Sequence, residues 1–180
     1  MRSVAWLLIV CSAAFATFAY GQGKHLHLGR SLPVEEERRW NITVLPDGTG
    51  LPVGSGTVSQ GKKVYLGKCS GCHGENGEGR EPLGGRLVGG IGTLKSSSPV
   101  VTIGSYWPYA TTVWDYIYRA MPYPEPGSLS PDETYAVTAF LLHRNGIIRR
   151  DIILSRKSLP NVKMPNRDGF IPDPRPDVKP

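Results

Sequence analysis

Apolar residues recur at helical spacing in three stretches of the chain, and glycine, proline and polar residues dominate between them. The first stretch covers residues 58–72 and predicts a helix whose core contacts come from Val58, Val64, Tyr65 and Leu66. Residues 74–108 hold many Gly, Ser and Pro residues without periodicity, which predicts loops. We therefore expect a mainly α-helical protein whose helices are joined by long connections.

The second stretch predicts a helix over Thr111–Ala120. Either Thr111 or Thr112 is suited to cap its first turn, and Pro122 stops it. Its apolar face is formed by Val113, Tyr116 and Ile117.

The third stretch carries the clearest helix-start signal. Ser130 is placed as the N-cap, Pro131 as the first helical residue, and Glu133 completes a capping box. Asn145-Gly146 is a typical helix stop. The apolar stripe between these signals comprises Tyr135, Val137, Phe140 and Leu141.

The ends of the chain differ from its middle. Residues 1–21 have the layout of a signal peptide: Arg2 is followed by an apolar run, with small residues at 19 and 21. An uncleaved anchor is the alternative, but the run is slightly shorter than the ~20 residues of a spanning helix. Residues 22–56 predict an extended N-terminal arm, 57–146 a domain, and 147–180 a C-terminal extension whose end, 171–180, is disordered.

Composition excludes several classes of protein. The 39% of hydrophobic residues suits a modest core but not a polytopic membrane protein. The net charge is +6, or +5 without Arg2, which favours an acidic partner surface. No basic run is interleaved with aromatics, so nucleic acid is not predicted as a partner. After cleavage of the leader the chain is not expected to span a membrane.

Cysteine usage identifies the chemistry. Of the three cysteines, Cys11 lies in the leader, and the other two lie in the sequence Cys69-Ser-Gly-Cys72-His73. A CxxCH motif is the mark of c-type haem attachment. Residues three apart on a helical turn are neighbours, so both sulfurs can reach one side of a porphyrin, and the adjacent His73 becomes the proximal iron ligand. One motif predicts one covalently bound haem c.

Other uses of a Cys pair fit less well. A thioredoxin-like redox pair lacks its βαβ surroundings, and a zinc site lacks a second Cys/His pair at finger spacing. A thiolate as the sixth iron ligand would need a further Cys in the mature chain, and none is left after cleavage.

Met121 is the first candidate for the sixth iron ligand, because it lies between a helix and Pro122, which fixes the backbone there. The alternatives are a core-packing role for Met121, an open site, or another ligand. The other candidate ligands are Met164, His25, His27 and His143.

Residues around the iron ligands have candidate supporting roles. A ligating imidazole usually donates its other N–H, and we expect the Pro82 carbonyl to accept it. Trp107, Tyr109 and Tyr106 form an aromatic group that either bonds the haem propionates or packs.

Residues 61–146 resemble class I cytochrome c, through Gly61, Tyr65, the CSGCH and AMPYP sequences and Phe140. The resemblance implies that fold, wrapped around one haem, with Gly61 and Phe140 where the first and last helices cross. Three runs are similar to the cytochrome subunit of Sox-type sulfur dehydrogenase and to cytochrome partners of sulfite dehydrogenases: LPDGTGLPVGSGTVSQGKKVY, TIGSYWPYATTVWDYIYRAMPYPEPGSLSPDETYAVTAFLLHRNGI and LPNVKMPNRDGF.

That resemblance implies a periplasmic electron-transfer protein that takes electrons from a molybdenum-containing sulfite or sulfur dehydrogenase subunit and passes them to a downstream cytochrome or oxidase. The arm and the extension would wrap the partner, and five cations are candidate docking charges: Arg144, Arg149, Arg150, Arg156 and Lys157. A diffusible carrier with other partners is the alternative. A haem enzyme is a third hypothesis, for which the only acid near Met121 is Glu125.

Overall fold

The computed structural model describes residues 29–173 and Arg175. The predicted signal peptide lies outside the described residues, as do His25, His27 and most of the end that was predicted to be disordered. Over the described range, no helix has both the length and the apolar character that crossing a bilayer requires.

The chain divides into two units at Asn41. In the first, helix α1 (Val34–Trp40) starts after Pro33, and three glutamates occupy its first turn, where the helix dipole favours negative charge. Arg30 pairs with Glu36 at 3.0 Å. Trp40 is 78% exposed.

The second unit, from Ile42, is mainly helical. Its elements in chain order are β1 (Ser55–Thr57), α2 (Val58–Lys68), α3 (Ser70–His73), α4 (Ile103–Tyr106), α5 (Ala110–Ala120), α6 (Pro131–Arg144), β2 (Ile153–Ser155) and a 3₁₀ helix (Leu159–Asn161). The two strands form an antiparallel pair in which Gly56 lies opposite Leu154.

The crossing of α2 and α6 forms the centre of the core. A Cβ atom at Gly61 would overlap the Ala136 carbonyl oxygen and lie 2.8 Å from the Phe140 Cβ, so only glycine allows this approach. Beside it the rings of Tyr65 and Phe140 lie 5.0 Å apart. The small–aromatic crossing expected at Gly61 and Phe140 is therefore confirmed.

The capping predictions have mixed outcomes. The capping box of α6 at Ser130 and Glu133 is confirmed, with Pro131 in the first turn and Asn145 as the C-cap. The predicted cap of α5 is wrong, because Tyr109 is its N-cap and no side chain caps it. Thr111 instead donates its hydroxyl to the Pro46 carbonyl at 3.0 Å. The first predicted helix is interrupted at Cys69, where the backbone leaves helical geometry (φ −125°, ψ −37°).

The core extends beyond residues 57–146. Buried residues come from the segment before β1 and from the segment after α6: Val44, Leu51, Leu154, Leu159 and Met164. Much of the predicted arm and extension thus belongs to the packed unit. The apolar side chains of these segments pack in the core with those of α5 and α6 and are removed from water.

Candidate haem site

The junction between α2 and α3 places the two cysteines and the histidine on one turn. Cys69 ends α2, and its carbonyl accepts the N–H groups of Cys72 and His73 at 3.2 and 3.0 Å. Both cysteine side chains are half-buried. The backbone turn that the CxxCH spacing predicts is therefore present, with Cys69, Cys72 and His73 on it.

The protonation of Cys69 argues against a redox-active thiolate. Burial raises the pKa of the Cys69 thiol to about 11, so it stays protonated at neutral pH. Reactive cysteines of the thioredoxin type have a lowered pKa instead.

His73 is oriented by a carbonyl of the following loop. Its Nδ1 lies 2.8 Å from the Gly85 oxygen, which assigns the N–H to Nδ1 and leaves Nε2 as the free acceptor for a metal. The acceptor is Gly85 and not the predicted Pro82, three residues earlier. The loop closes on itself through the bridge between Arg80 and Gly84, next to Gly85, whose carbonyl lies within hydrogen-bond distance of Nδ1.

The same loop lies tightly against the cysteine turn. A Cβ atom at Gly84 would stand 2.8 Å from the Cys72 carbonyl oxygen, so a larger residue would push the loop away. The Tyr65 hydroxyl donates to the Gly74 carbonyl at 2.7 Å, and Arg80 donates to the Gly71 carbonyl at 3.3 Å. Sequence reasoning missed the roles of Gly85 and the Tyr65 hydroxyl, because no local pattern specifies these partners.

Met121 is the C-cap of α5. Its N–H donates to the Ile117 carbonyl at 3.0 Å, and its backbone is extended. The side chain is half-buried and packs against the core. Ligation of iron by Met121 stays a prediction.

The other candidate sixth ligands that the structure describes have different surroundings. Met164 is only 3% exposed and belongs to the apolar core. The Nδ1 atom of His143 lies 3.2 Å from the Ile148 carbonyl. Within residues 29–173 and Arg175, no three His, Cys, Asp or Glu side chains come together to hold a metal ion.

The three aromatic residues before α5 each pack against a different neighbour. Trp107 lies 5.7 Å from the Tyr116 ring. The remaining two contact the C-terminal segment: the Arg167 guanidinium lies 4.4 Å from the Tyr109 ring centre, and Phe170 meets Tyr106 edge-on. These contacts support the packing alternative, and propionate binding stays a prediction.

Two of the candidate docking cations have partners within the chain. Arg149 forms a double hydrogen bond with Asp151, at 3.1 and 2.8 Å. Arg144 donates to the Asn76 side chain at 3.2 Å. Asp151 thus offsets the charge of Arg149, whereas Asn76 is neutral and leaves that of Arg144 unchanged. All five candidate cations are exposed, Arg150, Arg156 and Lys157 included.

The donor set fits a covalently bound haem. Two half-buried thiols share a turn with an imidazole whose Nε2 is free, and a half-buried thioether follows α5. Thioether attachment with nitrogen and sulfur iron ligands is the chemistry of a c-type haem.

Three comparisons with known proteins agree with this geometry. The cytochrome c family model matches residues 58–145. A chain in the crystal structure of the sulfane dehydrogenase SoxCD from Paracoccus pantotrophus is 46% identical, with a TM-score of 0.78, over 83% of this chain and 73% of that one.

A thiosulfate dehydrogenase from Thiomonas intermedia (strain K12) is 34% identical over 115 residues. That match takes in 63% of this chain, and the chain spans about a third (34%) of the length of that curated relative.

Proposed function

Since this chain belongs to the cytochrome c family and is an electron carrier with one covalently bound haem c, we propose that it accepts electrons from a molybdenum-containing sulfite or sulfur dehydrogenase subunit. It passes them singly to a downstream cytochrome or oxidase. The observation that carries this proposal is the 46% identity to a chain of a sulfane dehydrogenase over 83% of the sequence. Such likeness extends well beyond the residues that attach the haem.

The residues of the site have defined parts in this role. The haem supplies a one-electron iron couple when bound. Cys69 and Cys72 would hold it covalently, and the Gly85 carbonyl keeps the His73 ring in the tautomer that offers Nε2. Met121 is the sixth ligand in this proposal, and a thioether ligand raises the reduction potential, which suits an acceptor.

We place the protein in the periplasm. The leader-like residues 1–21 support export. Members of the cytochrome c family are typically exported.

The proposal is tested by mixing the purified oxidised cytochrome with the molybdenum subunit encoded by the same source and adding sulfite or thiosulfate. We expect haem reduction only when the molybdenum subunit and one sulfur compound are both present. Met121→Ala serves as the matched variant, which should lose the near-infrared sulfur-to-iron band. Lack of reduction in the complete mixture, with a haem that dithionite still reduces, would overturn the dehydrogenase role and favour a general carrier.

The haem-enzyme hypothesis has little local support. Glu125 is exposed in the turn after Met121, and its N–H donates to the Pro122 carbonyl at 2.9 Å. Fast carbon monoxide binding to the reduced protein would indicate an open site and favour this hypothesis.

A further inference from the structure

Asp115 is a buried carboxylate on α5, a helix whose other buried residues are mostly apolar. Its side chain is 8% exposed and pairs with Arg119 one turn later, whose own side chain is 45% exposed. The second carboxylate oxygen, Oδ1, accepts the N–H of Val44 at 3.0 Å, across 71 residues of sequence. Burying a carboxylate is costly unless such partners are present, so the group requires an explanation.

A second bond joins the same two elements. The Thr111 hydroxyl donates to the Pro46 carbonyl at 3.0 Å. Thr111 and Asp115 are four residues apart and therefore lie on one face of α5. Residues 44–46 are thus bonded to α5 in both directions, once as donor and once as acceptor.

The two bonds restrain the position of α5 along its axis. Apolar contacts are non-directional and tolerate sliding, whereas hydrogen bonds weaken steeply when their geometry changes. The residue at the C-terminal end of α5 is Met121, six positions after Asp115. A shift of the helix would therefore move the thioether.

We propose that Asp115 is a positioning residue for Met121: by accepting the Val44 N–H, with its charge balanced by Arg119 on the same helix, it fixes α5 where the Met121 thioether could bind the iron. This inference rests on the proposed ligation by Met121. Asp115 does not touch the haem iron in this role and acts only through the helix.

Asp132, an exposed carboxylate, offers a control for the loss of such a bond. Its Oδ1 also accepts a distant backbone N–H, that of Ser55 at 2.7 Å, across 77 residues. It lies on α6, which carries no iron ligand in the proposed site. A role in general stability is common to both carboxylates, whereas a role in positioning Met121 is specific to Asp115.

The test is the competition of imidazole with the sixth ligand in the oxidised holoprotein. The apparent dissociation constant of imidazole falls as the fraction of protein with Met121 released rises. Loss of one charge-assisted hydrogen bond corresponds to about a tenfold change in an equilibrium constant. We expect Asp115→Ala to bind imidazole about tenfold more tightly and to show a weaker sulfur-to-iron band.

Asp115→Asn keeps an oxygen for the Val44 N–H but loses the negative charge that strengthens this bond, so an intermediate effect is expected. It also keeps the test valid if the alanine variant does not fold. Asp132→Ala should bind imidazole as the parent does, even where its melting temperature falls.

The outcomes separate the two proposals. Parent-like imidazole affinity in both Asp115 variants overturns the positioning role, and so do equal changes in the Asp115 and Asp132 variants. A parent protein without the sulfur-to-iron band, or a Met121→Ala variant that keeps it, overturns the ligation itself and the positioning role with it.

Discussion

His73 is held by one hydrogen bond, and the atom that accepts the bond decides which ring nitrogen is free. The motif identifies the histidine and both cysteines from sequence alone, because their chemistry requires adjacent positions. It does not identify the acceptor. Gly85 reaches the ring only because the loop closes between Arg80 and Gly84, and a contact twelve residues away leaves no periodic signal.

Tyr65 joins α2 to the residue that follows His73, because its hydroxyl donates to the Gly74 carbonyl. Tyr65→Phe leaves that carbonyl without its donor, so we expect the free energy of unfolding to fall by about 1–2 kcal/mol at neutral pH. Denaturant unfolding of the holoprotein measures the change. Tyr123→Phe is the control, since that side chain is 81% exposed and should have no measurable effect.

The ionisation of Tyr65 adds a prediction at alkaline pH. Burial raises its pKa from 10.0 to about 12, so the unfolded chain ionises first as the pH rises. The stability that the neutral phenol contributes is therefore complete below pH 10 and is lost between pH 10 and about 12. Burial raises the pKa of Tyr135 to about 12 as well, so the Tyr65→Phe variant should keep part of the alkaline loss. Identical alkaline slopes in parent and variant would contradict the assignment.

At the scale of elements, the crossing of α2 and α6 depends on a missing side chain. Gly61→Ala would drive a methyl group into the Ala136 carbonyl and force the helices apart, so we expect a loss of about 2 kcal/mol or more. Gly67 lies on the same helix, and a Cβ there meets nothing within 4 Å. Gly67→Ala should be neutral or stabilising by up to about 1 kcal/mol. Thermal melts of both variants measure the difference. Equal melting temperatures for Gly61→Ala and Gly67→Ala would argue against a close crossing at Gly61.

Strand β2 carries the contribution of the C-terminal segment to the core. Leu154 is fully buried, whereas its neighbour Ile153 is 57% exposed. Leu154→Ala should cost about 2–5 kcal/mol through lost burial and the cavity left behind. Ile153→Ala should cost under about 1 kcal/mol. If both variants unfold like the parent, the segment after α6 is not part of the folded unit.

The long helices follow from the sequence, and the short elements do not. α6 is found within a residue because Ser130, Pro131 and Glu133 give a local capping signal. Thr57 and Gln60 form a capping box at the start of α2. The same sequence signature could have predicted it. The three-residue strands are too short for alternation to be visible, and their pairing joins residues about a hundred positions apart.

At the scale of the whole molecule, buried residues on both sides of residues 57–146 show why a domain boundary is hard to predict from composition. Val44 and Leu51 come from a Gly/Pro-rich segment that was expected to be an extended arm, yet they are 3% and 6% exposed. Polar, turn-rich sequence can still lie against a core when a few apolar residues anchor it. Two hydrogen bonds join residues 44–46 of this segment to α5 as well.

The net charge of +6 is the property of the whole molecule that bears on partner association. Charges steer encounter over about 10 Å at moderate salt, so exposed cations raise the association rate with an acidic surface. Arg150 and Arg156 are both exposed. Changing both to glutamine should lower the rate of haem reduction by the partner subunit several-fold at low ionic strength and flatten the dependence of that rate on salt.

Arg149 and Asp151 pair with each other and supply a control. Neutralising both removes one positive and one negative charge, so the side chains change and the net charge does not. The haem of the double variant Arg149→Gln, Asp151→Asn should be reduced at the parent rate at every salt concentration. Stopped-flow absorbance of the haem measures that rate. If the Arg150/Arg156 variant also keeps the parent rate, these cations form an ordinary solvated surface and docking uses another face. If the charge-neutral variant slows as much, local contacts of this segment govern association in place of long-range steering.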